Sequence, residues 1–218
     1  MEPFVTHRGK VALLDWSDVN TDLIIPARYL KRIERTGYGP LLFADKRYSP
    51  GGAPDADHPE RHGELAAEFP LNSSTNQGAT VLVVGRNFGC GSSREHAVWA
   101  VAQAGYRAVI APGKDEGFAD IFEGNALNNG LLPIELRDEE WSAIVGAVRS
   151  GPTEVTIDLQ RQVVTLHASV DQEFSFHVPE GNRDRMLRGL DAIAETLMND
   201  NSIVAYEKKA PTWAAISV

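Results

Sequence analysis

The chain of 218 residues has one cysteine, Cys90. A disulfide needs a pair, so no internal disulfide framework exists and an intracellular setting fits. One thiolate cannot by itself hold an iron–sulfur cluster or a structural zinc. Long apolar runs are missing too. None approaches the ~20 residues that span a bilayer, so no membrane segment is expected. The opening Met1-Glu-Pro-Phe-Val-Thr-His-Arg8 lacks the apolar core of a secretory leader, and a soluble cytoplasmic protein is expected. Positive charge is in the minority. There are 21 Lys+Arg against 30 Asp+Glu, a formal charge of -9, which argues against a broad nucleic-acid surface. Internal repeats, low-complexity tracts and a clear linker are also absent. The length suits one domain with its own core, 1–218.

What is present alternates between strand and helix patterns. Lys10 to Asp15, Thr80 to Val84, Tyr106 to Ala111 and Leu131 to Leu136 read as strands. Residues 93–104 and a shorter run within 118–129 read as the helices between the last three. Asp138 to Val148 reads as a helix with Asp138 as its N-cap. Two period-two runs, 153–159 and 162–167, joined at Gln160-Arg161, predict a hairpin. Phe174 to His177 predicts a further short strand. Asn182 to Leu197 predicts one amphipathic helix, with Met186, Leu187, Leu190, Ile193 and Leu197 on a single face. Tyr29 to Gly37 has room for one or two helical turns. Tyr48 to Gly78, rich in Pro, Gly, Asp and Ser, reads mostly as loop. The expected class is α/β, with βαβ units in the centre and antiparallel strands toward the C-terminus.

The most informative stretch is Gly85-Arg-Asn-Phe-Gly-Cys-Gly-Ser-Ser-Arg-Glu-His96. An apolar strand enters it and an amphipathic helix leaves it. That arrangement presents backbone N–H groups and the positive end of a helix dipole to an anion. Four readings compete. Ser92-x-x-Glu95 fits a purely structural capping box, with glycines that only permit the turn. Gly89-x-Gly91 begins like a dinucleotide loop, but Arg94 stands where Gly or Ala is needed, and no acid closes the next strand. A serine hydrolase lacks its G-x-S-x-G elbow, and Ser92 and His96 lie one turn apart on one helix. Carboxylate binding with proton abstraction uses the residues best. Arg94 offers a planar fork for a carboxylate, the N–H groups of Gly91 to Ser93 add donors, and a hydroxyl between them can serve as base.

Other candidates are weaker. His7, His58, His62, His167 and His177 show no ligand spacing. Lys31, Arg32 and Arg35 form a basic cluster that by default is a solvated face. Asn20-Thr-Asp22 is turn chemistry, because Asn and Asp bond back to local N–H groups.

These residues together resemble a known family. Asn20-Thr-Asp-Leu-Ile-Ile-Pro-Ala-Arg-Tyr-Leu30, then Arg35-Thr-Gly-Tyr-Gly39 with Leu42-Phe43, then Gly85 to His96, then Gly130-Leu-Leu-Pro-Ile134, resemble the small subunits of bacterial 3-isopropylmalate dehydratases. Leu190-Asp-x-Ile193, Thr196-Leu197, Ile203 and Tyr206-Glu207 are similar to the same family's tail. Such subunits are separate-chain counterparts of the swivelling last domain of aconitase. The resemblance implies a three-layer β/β/α swivelling fold and a large-subunit partner that carries a [4Fe–4S] cluster on its own cysteines. It implies isomerisation of 2-isopropylmalate to 3-isopropylmalate through 2-isopropylmaleate, in leucine biosynthesis. Ser92 would be the base, Arg94 would bind a substrate carboxylate, and Asp22 would support the serine region. Gly91, Ser93, Arg28 and Arg35 complete the expected substrate contacts. No metal or cofactor is expected on this chain itself, and Cys90 reads as a small residue packed in the turn.

The family more often shows Asp-Thr-Asp-Gln where this chain has Asn20-Thr-Asp22-Leu23, and often Phe in place of Tyr29. Asp22 is retained. The segment Arg28 to Gly37 resembles the loop that sets specificity for the substrate's alkyl arm. Small subunits of related hydro-lyases of the homoaconitase, citramalate or dimethylmalate type, and a non-catalytic anion-binding module, are the alternatives. With the partner missing, residues 28–78 are expected to be poorly ordered and to order when the complex closes.

Overall fold

Alternation along the central strands sorts their side chains into two cores. The computed structural model describes residues 1–92, 94–113 and 116–209. In β1 (Thr6–Leu14), Ala12 and Leu14 enter one apolar cluster while Val11 enters another. In β2 (Val81–Val84), Leu82 and Val84 go to the first and Val81 and Val83 to the second. In β3 (Ala108–Pro112) the division repeats, with Val109 and Ala111 against Ala108 and Ile110. A strand whose two faces are both buried belongs inside a layered α/β fold, and its sequence is a continuous apolar run.

The first cluster is roofed by helix. It joins β1–β3 to α1 (Thr21–Ile24), α2 (Ala44–Arg47), α3 (Glu95–Gln103) and α4 (Asp120–Asn128). The second is roofed mainly by sheet, with the helical Ile144, Val145 and Met186 packed into it. It joins the same strands and β4 (Leu132–Leu136) to β5 (Glu154–Asp158), β6 (Val163–His167) and β7 (Gln172–Ser175). Among the described residues the strands form one sheet in the order β4-β3-β2-β1-β5-β6-β7. Its first four strands are parallel, and β1-β5-β6-β7 are antiparallel. Strands from both ends of that order meet in one cluster, so the sheet curls and its antiparallel half covers one face of its parallel half. The layers are therefore helix, sheet and sheet, as expected. Pro133 sits on β4, an edge strand where a missing N–H is tolerated.

Several local expectations are corrected. α3 starts at Glu95, with Arg94 as N-cap and no side-chain cap. α5 (Asp138–Ser150) is capped one residue earlier than expected. Arg137 is its N-cap, and the Glu140 carboxylate accepts from the Arg137 N–H at 3.1 Å. Tyr29 to Gly37 holds only part of a 3-10 turn, Ala27–Lys31. Leu23–Ile24 belongs to the short α1, because the Asn20 side chain caps it by accepting from Leu23 N–H at 2.8 Å. The single helix over 182–197 is two helices, α6 (Glu180–Arg188) and α7 (Ala192–Leu197), followed by α8 (Asp200–Glu207). Gly189 ends α6 in the left-handed region at φ 69°, a common helix stop. The apolar stripe splits there. Met186 is buried, while Ile193 and Leu197 are exposed.

Candidate functional site

The parallel strands β1 and β2 end side by side, and the loops that follow them interlock. Gly85 N–H donates to Trp16 C=O at 3.0 Å and Asp18 N–H to Arg86 C=O at 2.9 Å. Gly89 N–H reaches Val19 C=O at 2.8 Å, and Thr21 N–H reaches Cys90 C=O at 2.9 Å. On the other flank, Asn87 and Phe88 N–H groups donate to Glu116 and Gly117 carbonyls, both at 2.9 Å. The main chain of the turn is thus laced into the loops after β1 and β3.

Its side chains explain the motif's spelling. A Cβ on Gly85 would lie 2.6 Å from the Trp16 carbonyl, and one on Gly89 would lie 2.4 Å from Phe122 Cγ. Gly89 also has φ 81°, a region that favours glycine. Phe88 is fully buried and meets Phe122 edge-on, with ring centroids 5.2 Å apart. Arg86 bridges Glu116 at 2.8 Å and Asp138 at 2.5 Å, and the Asn87 amide donates to Asp18 at 2.7 Å. Asp18, Arg86, Asn87 and Glu116 line a cleft of about 590 Å³ on that flank, but they are paired with one another or with Asp138.

The turn delivers Ser92 to the surface, beside Arg94. Arg94 Nη2 donates to Ser92 Oγ at 3.2 Å, and Arg94 Nη1 forms an ion pair with Asp22. The three predicted residues therefore meet, with Arg94 between the other two. Among the described residues Asp22 reaches the serine only through the guanidinium. The capping-box reading fails on this geometry, because Ser92 does not cap α3 and Glu95 looks elsewhere. The Glu95 carboxylate accepts from Asn129 Nδ2 at 2.9 Å, and Asn129 Oδ1 accepts from Trp99 Nε1 at 3.0 Å. That network ties the first turn of α3 to the end of α4, and nothing in the local sequence announces it. Gly91 lies in the same turn at φ 85°, with its Cα side facing Asn20. Ser93 lies outside the described residues.

Arg28 and Arg35 are placed apart from this trio. Arg28 pairs with Asp45 at 2.5 Å and lies over the Tyr29 ring at 4.4 Å. The Asp45 carboxylate holds the Arg28 pKa above its ordinary value, and burial works against that. Arg35 lies over the Trp99 ring at 5.7 Å. Neither forms a hydrogen bond or ion pair with Ser92, Asp22 or Arg94 among the described residues. Arg32, which the sequence suggested as a solvated charge, is instead largely buried. It donates to the carbonyls of Ala56 and Thr36.

Charge and solvent set what the trio can do. A guanidinium donating to Ser92 Oγ favours the alkoxide over the hydroxyl. A solvent-exposed arrangement keeps that effect small, because water screens it. Asp22 is half exposed, at 53%, and Arg94 at 27%. His96, on the first turn of α3, has its pKa lowered by burial first, with the Arg94 charge adding to it and Glu95 opposing. Burial also raises the Cys90 thiol, helped by Asp18. A protonated, solitary thiol does not fit a cluster ligand. No helix among the described residues is long and apolar enough to cross a membrane.

Comparison with known proteins covers this whole region. Residues 1–139 match the family model described as the aconitase C-terminal domain, and every residue of the trio falls inside that match. The chain is 44% identical over 220 residues to a protein of Desulforapulum autotrophicum, covering 98% of each chain. It is 46% identical to one of Anoxybacillus flavithermus over 96% of this chain and 99% of that one. It is 41% identical to one of Bacillus subtilis, over 98% of each. All three are named 3-isopropylmalate dehydratase small subunit. The crystal structure of 3-isopropylmalate dehydratase (leuD) from Methanocaldococcus jannaschii superposes with a TM-score of 0.58 at 27% identity, covering 94% of this chain and 99% of that one.

Proposed function

The chain belongs to the aconitase C-terminal domain family, and from that premise we propose that it acts as the small subunit of a 3-isopropylmalate dehydratase. Its work is then hydro-lyase chemistry in leucine biosynthesis, in the cytoplasm, performed only as a complex with a large subunit. The observation that carries this reading is Arg94 held between Asp22 and Ser92 Oγ at the ends of β1 and β2. Such a group can orient a carboxylate and stabilise an alkoxide in one place.

Ser92 Oγ takes the proton from the carbon next to a substrate carboxylate. Arg94 binds that carboxylate and supports the developing charge on Oγ. Asp22 holds Arg94 in place, since an arginine without its anchor has many rotamers to lose. The resemblance places a [4Fe–4S] cluster on the large subunit. This chain's residues do not fit such a group, since one raised thiol is all they offer.

Exposure of Ser92 and Asp22 supports the need for a partner. Closing a second surface over them would exclude water and strengthen each interaction. The test assays the purified chain with 3-isopropylmalate, alone and after reconstitution with the large subunit. Turnover should appear only in the complex. Robust turnover by the chain alone would overturn the proposal.

A further inference from the structure

We propose that Gln103, at the far end of α3, is a positioning residue that sets where the segment Arg28–Gly37 stands relative to Ser92 and Arg94. The inference rests on the reading above, in which that segment meets the substrate.

The segment has little structure of its own. After the 3-10 turn ending at Lys31, residues 32–38 form no helix and no strand, and Ile33 at its tip is 94% exposed. Main-chain groups in such a stretch must find partners elsewhere. Two of them find the same side chain. Tyr38 N–H donates to Gln103 Oε1 at 2.8 Å, and Gln103 Nε2 donates to Arg35 C=O at 2.7 Å. A primary amide is suited to this, because it offers one acceptor and one donor side by side, as a backbone neighbour would. The two bonds also fix which end of the amide is oxygen.

The rest of the α3 surface continues the cradle. His96, Trp99 and Gln103 are spaced by three and four, so they share one face of the helix. The Tyr38 ring packs edge-on against Trp99 at 5.4 Å and His96 at 5.6 Å. The Arg35 guanidinium lies over Trp99. Gly39 presses on the end of the helix, where a Cβ would come within 2.5 Å of the Gln103 carbonyl. α3 thus carries Arg94 at its start and the segment's clasp at its end, about 13 Å away at ~1.5 Å per residue. One rigid element relates the two sets of groups. Gln103 is itself exposed, so its bonds contribute to placement more than to global stability.

The experiment uses the reconstituted complex with 3-isopropylmalate. Gln103→Ala should raise KM about tenfold and leave kcat within about twofold, the signature of lost ground-state positioning. The melting temperature of the free chain should hold. Trypsin should cut at Lys31, Arg32 and Arg35 faster than in the parent chain. Gln103→Glu keeps the acceptor for Tyr38 N–H and loses the donor for Arg35 C=O, so it should fall between. An unchanged KM in Gln103→Ala overturns the inference, and so does a KM rise that merely tracks a lower melting temperature. Arg35→Ala tells the two failures apart. If it raises KM while Gln103→Ala does not, the inference fails alone. If neither variant moves KM, the reading of the segment fails with it.

Discussion

The turn Gly85–Ser92 and the segment Arg28–Gly37 flank the same helix but are held in opposite ways. The turn is fixed chiefly by main chain bonded to main chain, with two loops clasping it from either side and the Arg86 and Asn87 side chains adding to the hold. The segment is fixed by side chains: Gln103 on its backbone, Arg32 on the Ala56 and Thr36 carbonyls, and Arg28 on Asp45. Backbone lacing leaves little freedom, and the close approaches that go with it leave no room for a Cβ at Gly85 or Gly89. Side-chain clasps on an exposed stretch open at small cost. A fixed turn suits a group that must take a proton at a defined atom. A releasable segment suits a wall that must admit substrate.

The largest effect that would break this comparison is on the turn. Ser92→Ala should lower kcat of the complex by ~10²–10⁴-fold, the usual contribution of a positioned base. Its melting temperature should not change, because among the described residues Ser92 does not cap α3. A stability loss of about 1 kcal/mol with an intact rate would restore the capping role. Arg94→Lys should follow in size. A point charge cannot serve Asp22, Ser92 Oγ and a carboxylate at once, so kcat/KM should fall about 100-fold. An unchanged kcat/KM would move the carboxylate site toward Arg28 or Arg35.

Gly89→Ala measures the lacing itself. The added Cβ would strike Phe122, whose ring is 1% exposed and stacked on Phe118, so it has nowhere to go. Overpacking and the positive φ together should cost more than about 2 kcal/mol in chemical denaturation. A neutral Gly89→Ala would mean the turn is looser than its hydrogen bonds imply.

What the sequence disclosed follows the same division. The turn was legible because its causes are local: glycines at close approaches, a hydroxyl and a guanidinium two residues apart. The strand pattern 80–84, 106–111 and 131–136 was legible because both faces of those strands are buried. The segment was not, because its partner Gln103 lies 65–68 residues away in sequence. The same holds for Glu95, which looked like half of a capping box and bonds Asn129 instead. The helix over 182–197 misread one residue. Its apolar spacing continues past Gly189, but the backbone does not.

We propose further that residues 28–78 gain order when the large subunit closes over them. The structure narrows where to look. Tyr29, Tyr38, Leu41 to Ala44, Tyr48 and Phe69 belong to the first core, while 31 and 33–37 are exposed. Hydrogen exchange on the free chain and on the complex should show protection rising at 31–37 and changing little at Leu41 to Ala44. Equal protection across 28–78 in both states would refute the ordering.

The smallest expected effect concerns His96, which lies on α3 between the two regions: it follows Arg94 by two residues and its ring meets Tyr38, just past the segment. Burial lowers its pKa from the ordinary 6.5, with the Arg94 charge acting the same way. The unfolded chain therefore takes up a proton at a pH where the folded chain does not. Above pH 6.5 both forms are neutral and the stability is fully present. As pH falls from 6.5 through the folded value, that stability is lost. Urea midpoints should thus decline from pH 7.5 to pH 5.5. His96→Gln should flatten the decline without abolishing it, because burial and Arg107 lower His7 in the same direction. Identical slopes for parent and His96→Gln would show that His96 carries none of this pH dependence, and would break the link between its burial against Tyr38 and stability.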